Sequence, residues 1–377
     1  MPLSQDRSIP VDLTPYVIAW RTTVLHDREV VDALIHPAHA GPSTALAQVL
    51  QRWDGTYYWS EEPGGHWLVL TRRRAVAAER WWLHVLLFAL TLATTTLAGA
   101  VLHGSVIVDD TFGLLRGRVT VIGGVVTAIT AGLAFAVPLL AMLLAHEMGH
   151  YFTARRYQLD VSPPYFIPVP LFPSFIGTMG AFIRLRTVLS DRRQLFDVGL
   201  AGPIAGFVVA VPVLLFGLVL SEPLSSREGI AGMVLLVGRD GYLLGDSLVT
   251  LGLRWLVHGG AAVALHPVAF AGTLGMFVTM INLMPMAQLD GGHILYAAQP
   301  RLHRRAALIF WLVVLGLGHW WIGWYLWAAL VLLVSRGRLD HPPLLDAYRP
   351  FPTSRRWLLW VAGVLFLLTF APVPFKT

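Results

Sequence analysis

The feature that most constrains this chain is a series of long apolar runs from which charge is absent. Trp81–Leu102, Val119–Ala145, Val198–Leu220, Ala261–Leu289, Ala306–Val334 and Trp357–Phe375 contain no Asp, Glu, Lys or Arg. A helix needs about 20 apolar residues to cross the hydrocarbon core of a bilayer. Charged residues make up 13% of the chain, against about 25% in soluble domains. Backbone groups in lipid must be satisfied within the segment, which selects helices. The expected fold is a polytopic α-helical membrane protein. The run Ala306–Val334 is too long for one span and carries Gly316, Gly318, His319 and Gly323 near its middle. Those residues split it into two short helices, for about seven spans in all.

Residues 1–80 read differently. They mix charges with short apolar patterns: a helix over Ala45–Trp53, then strands over Thr56–Trp59 and Trp67–Leu70 around Pro63-Gly64-Gly65. We expect a small soluble α+β domain over 1–80 and a membrane-embedded domain over 81–377. The first twenty residues hold Asp6, Arg7 and Asp12 and lack an apolar core with a small-residue cleavage site. Insertion is therefore expected to rely on the later runs.

The net charge is +6, carried almost wholly by arginine. These arginines flank the apolar runs, so membrane topology accounts for them and nucleic acid is not an expected partner. With seven spans and a cytoplasmic N-terminus, fourteen arginines fall on the inner side, including Arg155, Arg156, Arg192, Arg193, Arg304, Arg305, Arg336 and Arg338. Six basic residues fall outside: Arg116, Arg118, Arg227, Arg239, Arg254 and Lys376. That is the positive-inside bias. It suggests a multi-pass membrane protein with a cytoplasmic N-terminus. No cysteine is present, which excludes disulfides, thiolate metal sites and a cysteine nucleophile.

The end of the second run reads His146-Glu147-Met148-Gly149-His150. On a helix, i and i+4 share a face, so both imidazoles can grip one metal ion with Glu147 beside it as a base. Zinc suits such ligands, one ion per chain. Glu147 is the only acid between Asp110 and Asp160, and an ionisable group at membrane depth is expensive to keep without a function. The bland alternative is that these side chains only pair with one another. A catalytic zinc takes a third protein ligand. At the end of the fourth run stands Asp290, the only acid between Asp246 and Asp340. Alone it reads as a helix cap. Runs two and four cross in the same direction, however, so both motifs lie at similar depth on the cytoplasmic side and can converge.

Other residues carry weaker signals. Asn282 either reaches a ligand or substrate carbonyl or caps the break at Pro285. His293 is a candidate for oxyanion or ligand-carboxylate contact, against a buried structural histidine. Gly199, Gly202 and Gly206 form a small-residue stripe best read as close helix packing. Ser162–Ile176 is too rich in proline for helix and too apolar for a solvated loop, so it is expected as a re-entrant, strand-like loop. Gly177 and Gly180 follow it, and a strand there offers an edge to an unwound substrate.

These motifs resemble the site-2 protease family of membrane metallopeptidases, peptidase family M50. The likeness rests on His146-Glu147-Met148-Gly149-His150 with the distal Asn282, Pro285 and Leu289-Asp290-Gly291. Gly199-Leu200-Ala201-Gly202-Pro203-Ile204-Ala205-Gly206 resembles the family's span-three motif, and His341-Pro342-Pro343 with the final run resembles the subgroup of EGY-type thylakoid proteases and their prokaryotic relatives. The resemblance implies zinc on His146, His150 and Asp290, Glu147 as general base, and transmembrane segments of other proteins as substrates. It implies too that the region near Gly177–Phe182 clamps the substrate. No PDZ-like insert lies between the runs. A rival reading is a transporter or channel with a His/Asp ion path, against which Glu147 between two histidines at metal-ligand spacing argues.

Overall fold

A computed structural model describes residues 11–24, 28–39, 43–62, 65–73, 79–108, 119–170, 176–186, 189, 191–224, 232–237, 240–341, 344 and 350–376. Pro63-Gly64, Arg116, Arg118, residues 171–175 of the proline-rich stretch, Arg227, Arg239 and Pro342-Pro343, all within the sequence argument, lie outside the described residues. The chain forms two compact units: Met1–Glu79 with Ala154–Ser162 and Arg184–Ser190, and Arg80–Thr153 with Pro163–Ile183 and Asp191–Thr377.

In the first unit, β1 (Val17–Val24), β2 (Arg28–Ile35), α1 (Thr44–Gln51), β3 (Thr56–Glu62) and β4 (Gly65–Arg73) follow in order. The strands form an antiparallel sheet in the order β1-β2-β4-β3. Strand side chains alternate between faces, so Val31, Ala33 and Ile35 of β2 and Leu68 and Leu70 of β4 point one way. They bury against Leu46 and Leu50 of α1 and Leu13. Ser43 caps α1 by accepting from the Leu46 amide at 3.3 Å. The expected helix and both expected strands are present. β1 and β2 were not legible, because Arg21, Thr22 and Thr23 blur the alternation.

The remaining elements are α2 (Trp81–Leu102), β5 (Val106–Val108), β6 (Val119–Val121), α3 (Val125–Arg156), β7 (Tyr165–Pro168), β8 (Thr178–Phe182), α4 (Arg192–Val219), β9 (Glu222–Pro223), β10 (Met233–Val237), β11 (Asp240–Leu244), α5 (Leu248–His258), β12 (Val263–Ala264), α6 (Pro267–Asn282), α7 (Asp290–Ala298), α8 (Pro300–Leu317), α9 (Gly323–Val334), α10 (Arg356–Thr369) and β13 (Phe375–Lys376). Among the described residues, α2, α3 and α4 are long and apolar enough to cross a membrane.

Neighbouring helices alternate in direction. Gly99 of α2 meets Gly132 of α3, Gly202 and Gly206 of α4 meet His150 and His146 of α3, and Gly217 and Gly272 join α4 to α6 at Ala269 and Leu214. Each pairing pattern is antiparallel, so α3 and α6 run the same way. β9, β10, β11, β12 and β13 form a five-stranded sheet. Because β9 leaves α4 and β12 enters α6, this sheet lies at the end of the bundle opposite to His146 and His150. Trp311 of α8 donates to the Ala328 carbonyl of α9 at 3.2 Å, closing the expected antiparallel helix pair.

Three expectations need correction. Ala261–Leu289 is not one continuous helix: it holds β12, the 16-residue α6 and a turn. Pro285 cannot donate the helical bond to Ile281 and its ring clashes with the preceding turn, so α6 stops at Asn282. Asp290 accordingly opens the next helix, α7, rather than closing a span. The His146–His150 motif is not at a helix end either, since α3 continues to Arg156.

The α2–α3 contact is close because both partners are glycine. A Cβ built on Gly132 would collide with the Thr96 carbonyl. Gly132→Val is therefore expected to destabilise the unit by about 1–3 kcal/mol. The measurement is the thermal midpoint in detergent; an unchanged midpoint would show that the helices tolerate separation.

Candidate metal centre

One turn of α3 separates His146 from His150, so both rings leave the same face. Their Nε2 atoms lie 3.1 Å apart. Asp290 Oδ2 lies 3.2 Å from His146 Nε2 and 3.4 Å from His150 Nε2. A tetrahedral metal with bonds of about 2.0–2.1 Å holds its donors about 3.3–3.4 Å apart, so the three atoms already occupy corners of such a polyhedron. Among the described residues this is the one group of three His, Asp or Glu donors that close together.

Hydrogen bonding sets the imidazole for this role. His150 Nδ1 is 2.7 Å from the Val198 carbonyl of α4. A carbonyl only accepts, so Nδ1 carries the proton and Nε2 presents its lone pair to the cluster. Asp290 Oδ2 is buried and has no hydrogen-bond donor among the described residues. Lone pairs converging in a buried space repel unless a cation lies among them. The donor set and its spacing thus fit a zinc-like ion.

Glu147, next to His146 on α3, is buried, 8% exposed. The backbone N–H of Ile183, the residue after β8, lies against its carboxylate. β7 and β8 form an antiparallel pair, a two-stranded sheet in which each strand has one edge unpaired by another strand among the described residues. The strand-like segment expected after α3 therefore delivers its end to the candidate base.

Residues 134–316 match the model of peptidase family M50. Over that segment the chain is similar to peptidase family M50. It is 33% identical over 252 residues to the probable zinc metalloprotease EGY1, chloroplastic, of Arabidopsis thaliana, covering 65% of this chain and 44% of that protein. It is 28% identical over 243 residues to the probable zinc metalloprotease EGY2, chloroplastic, of Oryza sativa subsp. indica, covering 62% and 42%. The chain thus spans under half the length of these curated relatives. No solved structure matches it significantly.

The other sequence candidates separate in the structure. Asn282, the last residue of α6, places Nδ2 3.3 Å from His146 Nε2, beside the cluster. His293 does not join it. Its Nδ1 lies 2.8 Å from Nε2 of His341, whose ring stacks on Tyr296 at 4.3 Å. The role of contacting a ligand carboxylate is therefore not what its Nδ1 performs. Gly177 and Gly180 also part company. Gly177 is packed under α2, its carbonyl accepting from Thr94 Oγ1 at 2.7 Å. Gly180 has nothing within 4 Å of a built Cβ and a φ of +108°, which favours glycine.

What the sequence argument undervalued is the glycine stripe. It is close helix packing, as expected, but its partners are the metal-site residues. A Cβ on Gly202 would collide with His150 Nε2, and one on Gly206 would come 3.3 Å from His146 Nδ1. The GxxG…G spacing next to a two-histidine helix carried that signal. Gly149 belongs to the same seam, its built Cβ colliding with the Ala201 carbonyl.

Gly202→Ala should therefore weaken metal binding although it removes no ligand, since His150 must swing off Val198 to make room. Chelator competition would read this as at least about a tenfold loss of affinity. Retention of wild-type affinity would contradict the packing argument.

Proposed function

We propose that this chain is a zinc metalloprotease hydrolysing peptide bonds in or near transmembrane segments of other membrane proteins. The observation that carries the reading is the converged donor set of His146, His150 and Asp290 beside the buried Glu147, on a helix of membrane-spanning length. The names of the curated relatives agree with it.

His146, His150 and Asp290 hold the ion. When bound there, zinc supplies Lewis acidity, polarising a carbonyl and easing loss of a proton from water. Glu147 takes the proton from the attacking water and passes it to the leaving amine. The Ile183 amide holds the carboxylate in place while it does so. The Asn282 amide stands at the edge of the cluster, within reach of a substrate carbonyl. His146, His150 and Glu147 are buried and the Asp290 side chain is 14% exposed, so bulk solvent has little access and each electrostatic contact is strengthened.

A helical substrate shields its amides, so it must unwind first. The outer edge of β8 offers backbone groups to an extended segment, and that edge leads to Glu147 through Ile183. Exposed Met179 and Phe182 flank it.

The chain crosses a prokaryotic inner membrane about seven times, through α2, α3, α4, α6, α8, α9 and α10, with the N-terminus and the site cytoplasmic. The arginine distribution supports this. So do the parallel course of α3 and α6 and the pairing of β13 with β11 at the opposite end.

Three outcomes test the reading. His150→Ala should lose zinc, whereas Glu147→Gln should keep it and lose at least about a hundredfold in cleavage; full activity in Glu147→Gln sinks the mechanism. Gly180→Val should cripple cleavage of a membrane substrate with zinc content unchanged, and unimpaired cleavage would reduce β8 to a connector. Reporter fusions at Ser190 and Arg338 should read cytoplasmic and one at Arg227 external; Ser190 and Arg227 on one side would overturn the topology.

A further inference from the structure

The bond that sets the His150 tautomer depends on where the Val198 carbonyl sits, and that carbonyl belongs to the residue after Asp197. Asp197 lies near the start of α4. Arg355, at the entry to α10 and 158 residues further along, grips it with both arms of the guanidinium: Nε to Oδ1 at 2.7 Å and Nη2 to Oδ2 at 2.9 Å. A two-point fork fixes orientation as well as distance, which a single contact cannot do. The Asp197 side chain is 12% exposed and that of Arg355 28%, so solvent screens the pair only in part.

The neighbouring contacts show why such a grip matters. α4 approaches α3 so closely that a single carbon on Gly202 would strike His150 Nε2. Rotation of α4 by a few degrees would either pull Val198 off Nδ1 or drive its backbone into the ring. Glycines permit that approach but do not hold it. Phe196, fully buried, packs edge-on against Phe351 at 5.1 Å, on the same stretch that carries Arg355. Arg193, the other cation near Asp197, is 55% exposed and stands 3.9 Å away, too far for a hydrogen bond.

We infer that Arg355 is a positioning residue for the metal centre: through Asp197 it holds the Val198 carbonyl that orients His150, so the C-terminal segment completes a site built by α3, α4 and α7. This rests on the metal-centre reading above. Arg355 touches neither the donors nor the substrate path. Its effect reaches the ion through two bonds, Arg355 to Asp197 and Val198 to His150, joined by one peptide unit. A plain staple between α4 and α10 would support the fold without tuning metal affinity.

The experiment measures zinc affinity of the purified full chain by chelator competition, and the visible absorption of the cobalt-substituted protein, which reports ligand geometry. Arg355→Ala should weaken zinc binding at least about tenfold and shift the cobalt bands. Arg355→Lys, which keeps the charge but loses the fork, should fall between it and wild type. Arg193→Ala should match wild type. Leu365→Ala, a buried position further along α10, should lower thermal stability yet leave affinity and bands unchanged. Wild-type affinity and bands in Arg355→Ala would overturn the inference, as would equal weakening by Leu365→Ala. If Arg355→Ala does not fold, wild-type behaviour of Arg355→Lys overturns it. A wild-type protein that takes up neither metal would instead remove the metal-centre reading itself.

Discussion

The near-contact of the α3 and α4 backbones is the constraint on which the rest depends. Gly149 meets the Ala201 backbone directly, and Gly202 and Gly206 leave room for the His150 and His146 rings between the helices. In lipid there is no hydrophobic drive to bring helices together, so small residues that allow dense packing do that work. Here the packing has a second consequence. It places a main-chain carbonyl, Val198, against His150 and leaves a donor atom free on the far side of the ring.

From that seam the other parts follow. The antiparallel order of α3, α4 and α6 brings the C-terminal end of α6 to the level of His146. Pro285 then breaks the helix, and the turn over residues 283–289 redirects the chain so that Asp290 enters at the start of α7. Two close approaches lock the turn: Cβ atoms on Gly291 and Gly292 would collide with the carbonyls of Leu283 and Ala287. Three lone-pair atoms are thus forced together in a buried volume, an arrangement that is costly alone and favourable around a cation. The energetic tension of the site and its chemistry share one origin.

Around this centre the fold separates tasks. The β7–β8 hairpin brings backbone edge and base together at Ile183. The five-stranded sheet closes the opposite end of the bundle, where Arg254 is buried against Asp246 at 2.9 Å and the Gly260 carbonyl at 2.8 Å. That arginine, which loop charge counting places in the open, is paired internally on an 11-residue helix. The C-terminal stretch runs from one end of the unit to the other, with Arg355 at the metal end and β13 in the sheet.

By itself the sequence indicated a mostly helical chain with a small strand-bearing N-terminal unit, and it singled out His146, His150 and Asp290, which the structure brings together as a group that could hold a metal ion. Charge-free runs have one solution in a bilayer, and His146, Glu147 and His150 share a helix face wherever that helix goes, because 3.6 residues per turn is a local property. Asp290 was legible as a lone acid at the end of an apolar run. Its place on α7 was not, since the break at Pro285 and the direction of the following turn depend on what the chain packs against. The contacts of Gly202, Val198 and Arg355 were invisible for the same reason: a glycine in a stripe, a carbonyl and a surface-type arginine carry no pattern of their own. The β1–β2 pair, the split of Ala261–Leu289 and the separation of Gly177 from Gly180 likewise arose only in three dimensions. Local periodicity names the groups that can bind; contacts between residues 48 and 158 positions apart decide which of them face the ion and what holds them there.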